Sequence, residues 1–170
     1  SDLPRIPHVL PGWPQNGAPA EYGLDLGEMY VRNITTDIRS QFGGARADGN
    51  SIFVFEVEGL CVGHLGHLHH EPDEAQYAAL GRLDVVMAAV DGGLTVDLPT
   101  MTRIVKRLKS SIVIPMHWFS NSSLDRFLAG VSDEFAITRD GVSSVEVSLR
   151  TLPSRPTVVV LEPRWLGLDD

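Results

Sequence analysis

The amino-acid sequence predicts an α/β fold in which helices cover a central sheet and antiparallel strands are added at one or both edges. Two apolar runs, residues 83–90 and 111–115, are bounded by turn residues, which is typical of strands buried on both faces. Segments with apolar residues at helical spacing alternate with these runs. Because buried strands that alternate with helices need helices on the sheet, this order indicates the α/β class.

The first third of the chain predicts extended structure. Residues 1–20 contain five prolines, which disfavour both helices and strand ladders, so an irregular arm is expected. Alternating apolar residues in 21–33 predict one short strand that ends near Ile34, and residues 41–49 predict a mobile glycine-rich loop. Residues 51–62, which reverse at Gly59, predict a β-hairpin.

Helices and strands alternate in the remainder of the chain. Capping residues, prolines in first turns and glycine stops predict helices over residues 72–81, 97–109 and 122–130, the last capped by Ser122 or Ser123. Strands are predicted at the two apolar runs and, in the tail, at residues 134–138, 144–149 and 157–162.

Composition restricts the function classes. With 170 residues, 43% hydrophobic and 21% charged, residues 1–170 are predicted to form a single domain with an ordinary core. The net charge of −8 disfavours nucleic acid and anionic membrane surfaces as partners. Cys61 is the only cysteine, so no intrachain disulfide is expected. No targeting or membrane-spanning pattern is seen, and a cytoplasmic location is expected.

A loop rich in histidine follows the predicted hairpin. Its imidazoles belong to His64, His67, His69 and His70. Two further polar loops, residues 91–93 and 116–118, also leave the ends of predicted strands. Loops at the carboxyl ends of strands form the sites of α/β sheets, and neutral imidazole is a common metal ligand. A metal site at this edge of the sheet is therefore the first hypothesis.

The same residues resemble a known family. The run GLCVGHLGHLHH with the helix and strand that follow, and the ending Pro115-Met116-His117, are similar to the C-terminal part of the metallo-β-lactamase superfamily. The similarity covers about residues 50–120 and is closest to the branch of ascorbate-6-phosphate lactonase. It implies an αββα sandwich with a metal site at one edge. Since the family's leading His-x-His-x-Asp-His motif is absent, the resemblance also implies that the N-terminal strands would lie before Ser1.

The resemblance assigns roles to individual residues. His117 matches the family's last metal ligand, and His67 stands where the family has an aspartate that bridges two metals. Thr36 is placed where the family has a third histidine. An imidazole does not bridge two metals as a carboxylate does, so one metal is expected, zinc first and iron or manganese as alternatives.

Other residues are assigned by their place in the chain. His69 and His70 are adjacent, so at most one is expected to face inward as a ligand. His64 is interpreted as a ligand or as a residue that supports one, and His8 as a surface residue. Residues predicted to support the metal or line the substrate pocket are His70, Asp37, Thr36, Asp91 and Trp118.

Two functions remain open from the sequence. The first is a metal-dependent hydrolase that uses activated water on a small-molecule ester, lactone or phosphoester. The second is a non-catalytic relative whose altered ligands leave a structural metal or none, and which acts in binding or assembly. A third hypothesis is that the chain is inactive until an N-terminal half or a second copy joins it.

Overall fold

The computed structural model of the protein describes residues 9–164, and His8 lies outside them. The elements in chain order are β1 (Gly23–Asp25), β2 (Met29–Arg39), β3 (Ala45–Val57), β4 (Leu60–His64), α1 (Glu74–Leu80), β5 (Val85–Ala89), α2 (Leu98–Leu108), β6 (Ile112–Met116), α3 (Asn121–Val131), β7 (Ala136–Thr138) and β8 (Thr157–Val159). This order of hairpin, helix, strand, helix, strand, helix and strands is the predicted one, and the α/β class is confirmed.

The described strands form one eight-stranded sheet with the order β1-β2-β3-β4-β5-β6-β8-β7. Its first part, from β1 to β4, is antiparallel. From β4 onward the neighbouring strands are parallel, and helices connect β4 to β5 and β5 to β6. Parallel neighbours need such crossovers, so the switch from hairpins to helices in the sequence coincides with the switch in the sheet.

The N-terminal strands differ from the sequence prediction. Residues 21–33 do not hold one strand, because the chain turns at Gly27 and pairs β1 with the start of β2. The second strand then continues to Arg39, past the predicted end near Ile34, with a bulge between Thr36 and Ile38. The loop predicted at residues 41–49 is shorter in the structure, because β3 already begins at Ala45. Pairing between β2 and β3 extends both strands beyond what the local pattern indicates.

The starts of α1 and α2 follow their capping residues, whereas the start of α3 does not. Asp73 and Gln76 form a reciprocal capping box at the start of α1, and Gly81 with φ of 64° ends it. Asp97 caps α2 through the backbone N–H of Thr100. The third helix begins earlier than predicted, with Ser120 at the cap position and no side-chain cap bond.

The core lies between one face of the sheet and the three helices. Alternate strand residues such as Val54, Val86 and Val113 pack in one cluster with Met101 of α2 and Phe127 of α3, all essentially inaccessible to solvent. The described part of the proline-rich arm lies on the opposite face. There the hydroxyl groups of Tyr22 and Ser51 donate hydrogen bonds to the carbonyls of Pro11 and Gly12.

The predicted strand at residues 144–149 is wrong, because this segment is irregular and has no strand partner in the described structure. Among residues 9–164, no helix has both the length and the apolar character needed to cross a bilayer.

Candidate functional site

Three loops meet at the carboxyl end of the parallel strands. His64 at the end of β4 is in register with Met87 of β5, and Ala89 of β5 is in register with Met116 of β6. His67, Asp91 and His117 follow the ends of these three strands. The structure therefore brings together one residue from each of the three loops that the sequence singles out.

The first contact in this site joins two histidines. The Nε2 atoms of His67 and His117 lie 3.1 Å apart, and the two rings are almost perpendicular, at 89°. This distance allows a hydrogen bond between a protonated and an unprotonated nitrogen. It is also close to the separation of about 3.3 Å expected for two imidazole nitrogens that bind one tetrahedral zinc ion at about 2.0–2.1 Å.

Asp91 fixes the orientation of His117. Its Oδ2 atom lies 2.9 Å from Nδ1 of His117, and the carboxylate side chain is only 4% exposed. Burial acts to raise the pKa of this carboxyl, but hydrogen bonds from the N–H groups of Gly93, Thr95 and Leu94 and from the Thr95 hydroxyl outweigh it and hold the pKa well below its usual range. The carboxylate is therefore ionised and accepts the Nδ1 proton of His117. When the His117 ring is neutral, the lone pair of its Nε2 is directed at His67.

His117 adopts an unusual backbone conformation. Its φ is 58°, in the left-handed region, immediately after β6. A residue with a β-carbon costs about 1–2 kcal/mol there, so surrounding contacts must stabilise it. The Asp91 hydrogen bond and the edge contact with the Phe119 ring, 4.6 Å between centroids, supply such contacts. Strain of this kind is concentrated at functional sites.

Asn50 shapes the loop that carries His67, and the sequence analysis did not identify it. Its Oδ1 accepts the backbone N–H of His67 at 2.7 Å, and its Nδ2 donates to Thr36 Oγ1 and to the Leu65 carbonyl. Gly66, with φ of 63°, passes so close to Asn50 Oδ1 that a β-carbon would collide with it. The available signal was a lone asparagine, followed by serine, at the start of an apolar strand run.

Thr36 lies beneath this loop. The residue is 1% exposed, and its hydroxyl oxygen accepts a hydrogen bond from the Asn50 amide. The residue thus supports the His67 loop through Asn50.

His64 and His70 are each hydrogen-bonded to backbone groups. His64 Nδ1 accepts the N–H of Gly66, and burial lowers the His64 pKa, which favours the neutral ring. His70 Nε2 accepts the N–H of Asp37, and its Nδ1 lies 2.8 Å from the Glu71 carbonyl oxygen. Both nitrogens of His70 are therefore occupied, and the ring connects its loop to the bulge in β2.

The remaining predicted residues make other contacts. Asp37 accepts the N–H of Asp48. His69 has a buried Nδ1 that forms no hydrogen bond within residues 9–164, and it lines a cavity that also contains Arg39 and Arg103. Trp118 is partly buried against the core and lines a cavity together with His117.

The described side chains provide two of the ligands that a metal ion needs and no third one. The two Nε2 atoms have the spacing of neighbouring zinc ligands, and Asp91 orients one of them as carboxylates commonly orient ligating histidines. Within residues 9–164, however, no three His, Cys, Asp or Glu side chains form a group suited to a metal. A catalytic zinc ion usually has three protein ligands, so the described residues provide an incomplete set.

Comparison with known proteins places the fold. No curated protein shows significant sequence similarity to the chain. A Thermotoga maritima protein, assigned to the metallo-β-lactamase superfamily as a Zn-dependent hydrolase, is 26% identical with a TM-score of 0.62, over 85% of this chain and 69% of its own.

Two more distant structures share the fold alone. A metallo hydrolase of the archaeon Ignicoccus hospitalis is 17% identical with a TM-score of 0.52, over 69% of this chain and 52% of its own. A diiron β-hydroxylase of Streptomyces venezuelae is 11% identical with the same TM-score of 0.52, over 82% of this chain and 32% of its own.

The sequence profile described as β-lactamase superfamily domain matches residues 1–117, which include β1 to β6, the histidine loop and His117. The chain belongs to the β-lactamase superfamily.

Proposed function

We propose that this chain is a metal-dependent hydrolase domain in which His67 and His117 bind one metal ion. The observation that carries the proposal is the contact series from Asp91 through His117 to His67, at 2.9 and 3.1 Å. Zinc is the first candidate, with iron and manganese as alternatives. When bound, such an ion lowers the pKa of a coordinated water and supplies a hydroxide nucleophile near neutral pH.

The chain's own residues prepare this site. Asp91 is ionised and accepts the Nδ1 proton of His117, which leaves Nε2 as the nitrogen that would bind the metal. Asn50 holds the backbone of His67 and thereby directs its ring at His117. The expected substrate is a small ester, lactone or phosphoester, and a closer relation to ascorbate-6-phosphate lactonase remains a hypothesis.

Metal content tests the proposal directly. Elemental analysis of the purified chain, after loading with zinc and gel filtration, should give about one zinc per chain. His117→Ala and His67→Ala should each retain a small fraction of that amount. The matched control is His70→Gln, because both nitrogens of His70 already contact the backbone and its replacement removes no ligand. Zinc retained in both site variants would contradict the proposed ligands.

A second function is favoured by one observation. Since no group of three ligating side chains occurs within residues 9–164, the site is consistent with a non-catalytic domain that acts in binding or assembly. Its partner would be a second copy of the chain. Absence of zinc after loading, together with a stable complex in gel filtration, would support this function. A zinc ion that supports ester hydrolysis by the isolated chain would argue against it.

A further inference from the structure

Two cavities flank the histidine pair. One contains His64 and His67 and has a volume of about 550 Å³, and the other contains His117 and has a volume of about 610 Å³. Because the two Nε2 atoms are only 3.1 Å apart, the pair lies where the two cavities approach each other. Each volume is within the range of about 300–1,000 Å³ that is typical of small-molecule sites.

The described lining of the first cavity contains no Lys or Arg side chain that could bind an anion. Its described lining consists of apolar residues, small polar residues and the two histidines, and none of these described residues is Lys, Arg, Asp or Glu. Phosphate groups are usually bound by arginine, lysine or several backbone N–H groups, so this lining favours a neutral ligand.

The second cavity is also mainly apolar. Met87, Ile114 and Met116 contribute side chains from neighbouring strands. Glu162 and Arg164 supply one charge of each sign, so the described lining carries no excess of positive charge.

A large aromatic residue belongs to each cavity. Trp13 lines the cavity of His67 and is 52% exposed, whereas Phe119 lines the cavity of His117 and is 73% exposed. The Phe119 ring also contacts the ring of His117. Exposed aromatic rings beside polar groups are characteristic of ligand sites, where they cover the apolar parts of a ligand.

From this lining we propose that the substrate is a neutral apolar ester or lactone, with its apolar groups against Trp13 and Phe119 and its acyl carbonyl at the His67–His117 pair. The assignment rests on the proposed hydrolase function. In the reaction the oxygen of water forms a bond to the acyl carbon, and the bond from that carbon to the alkoxy oxygen breaks. One water proton goes to the leaving alkoxide and the other is released from the acid, which leaves a carboxylate and an alcohol.

Substrate preference tests the assignment. The zinc-loaded chain is assayed with p-nitrophenyl acetate, p-nitrophenyl butyrate and p-nitrophenyl phosphate. We expect kcat/KM for the butyrate to exceed that for the acetate by about tenfold, because two further methylene groups are buried. Little or no hydrolysis of the phosphate is expected. A preference for the phosphate would overturn the assignment and leave the hydrolase function standing.

Single substitutions test whether Trp13 and Phe119 bind the apolar part of the butyrate ester. Trp13→Ala and Phe119→Ala should each raise KM for the butyrate several-fold with little change in kcat, and Trp13→Phe should restore most of the lost affinity. Phe42→Ala is the matched control, because Phe42 is 97% exposed in the loop between β2 and β3 and lines neither cavity. Equal KM values for all four variants and the unmodified chain would overturn the assignment.

Binding without turnover separates a failure of the substrate assignment from a failure of the hydrolase function. 4-Phenyl-2-butanone has the shape of benzyl acetate but no ester bond, and phenyl phosphate is its anionic counterpart. Titration of each into ¹⁵N-labelled protein should shift the Trp13 indole signal with the ketone and not with the phosphate. Shifts with phenyl phosphate alone would overturn the apolar assignment. Ketone binding without ester hydrolysis in zinc-loaded protein would overturn the hydrolase function, and the substrate assignment with it.

Discussion

Replacement of Asn50 by alanine should both destabilise the fold and disturb the histidine pair. Asn50 is 6% exposed, and its amide contacts three groups: the Thr36 hydroxyl, the Leu65 carbonyl and the backbone N–H of His67. Truncation leaves these groups without their partner. A buried polar group that loses its hydrogen bond costs about 1–3 kcal/mol.

The magnitude follows from which groups water can reach. Thr36 is 1% exposed, so its hydroxyl is expected to remain without solvent after the change. His67 and Asn50 line the 550 Å³ cavity, from which water can reach the freed N–H of His67. Counting the full cost for the Thr36 and Leu65 groups and little for His67 gives a loss of about 2–6 kcal/mol in the free energy of unfolding. Urea denaturation followed by circular dichroism measures this loss.

Asn33 provides a matched control. Its side chain also makes three hydrogen bonds, to the N–H of Tyr22, the Ala20 carbonyl and the Ser51 hydroxyl, and these hold the N-terminal segment. Asn33→Ala should therefore lower stability but leave zinc content unchanged, whereas Asn50→Ala should lower both. A loss below about 0.5 kcal/mol in Asn50→Ala, which is the usual range for surface changes, would refute the reasoning. Equal zinc loss in both variants would also refute it.

Two further changes test other parts of the site. Asp91→Asn replaces an acceptor with a group that can donate to His117 Nδ1, so zinc affinity should fall about 10–100-fold in a competitive chelator titration. Because the folded-state pKa of Asp91 is lowered, its stabilisation is complete above the ordinary carboxyl pKa of about 3.9 and is lost as the pH falls below it. Urea denaturation curves between pH 6 and pH 2, on the order of one per pH unit, should show that acid lowers the free energy of unfolding less in Asp91→Asn than in the unmodified chain. An unchanged pH profile would contradict this role of Asp91. Gly66→Ala should cost at least about 1–2 kcal/mol, since Gly66 has φ of 63° and a β-carbon there meets Asn50 Oδ1; a neutral effect in urea denaturation would show that the loop tolerates a shift.

Local patterns were sufficient for α1, α2 and the central strands, and they placed the start of α3 a few residues too late. The start of α2, for example, depends on Asp97 and the proline that follows, and such capping interactions span only three or four residues. The same locality explains the failures. Residues 144–149 alternate as a strand does, but a strand exists only where a neighbour offers its hydrogen-bonding edge. Conversely, β2 and β3 extend each other through pairing that neither segment reveals alone.

The sequence by itself determined the α/β class, the order of helices and strands from the hairpin onward, and the position of three polar loops after strand ends. It did not determine which side chains of those loops meet. That depends on the register of β4, β5 and β6 and on the backbone of each loop, which are set by contacts between residues far apart in the chain. Only the tertiary structure placed His67 against His117, tied His70 to the β2 bulge and brought Asn50 beneath the loop. Side-chain convergence across three strands is a non-local property, because a shift of one residue in any strand turns its side chains to the opposite face.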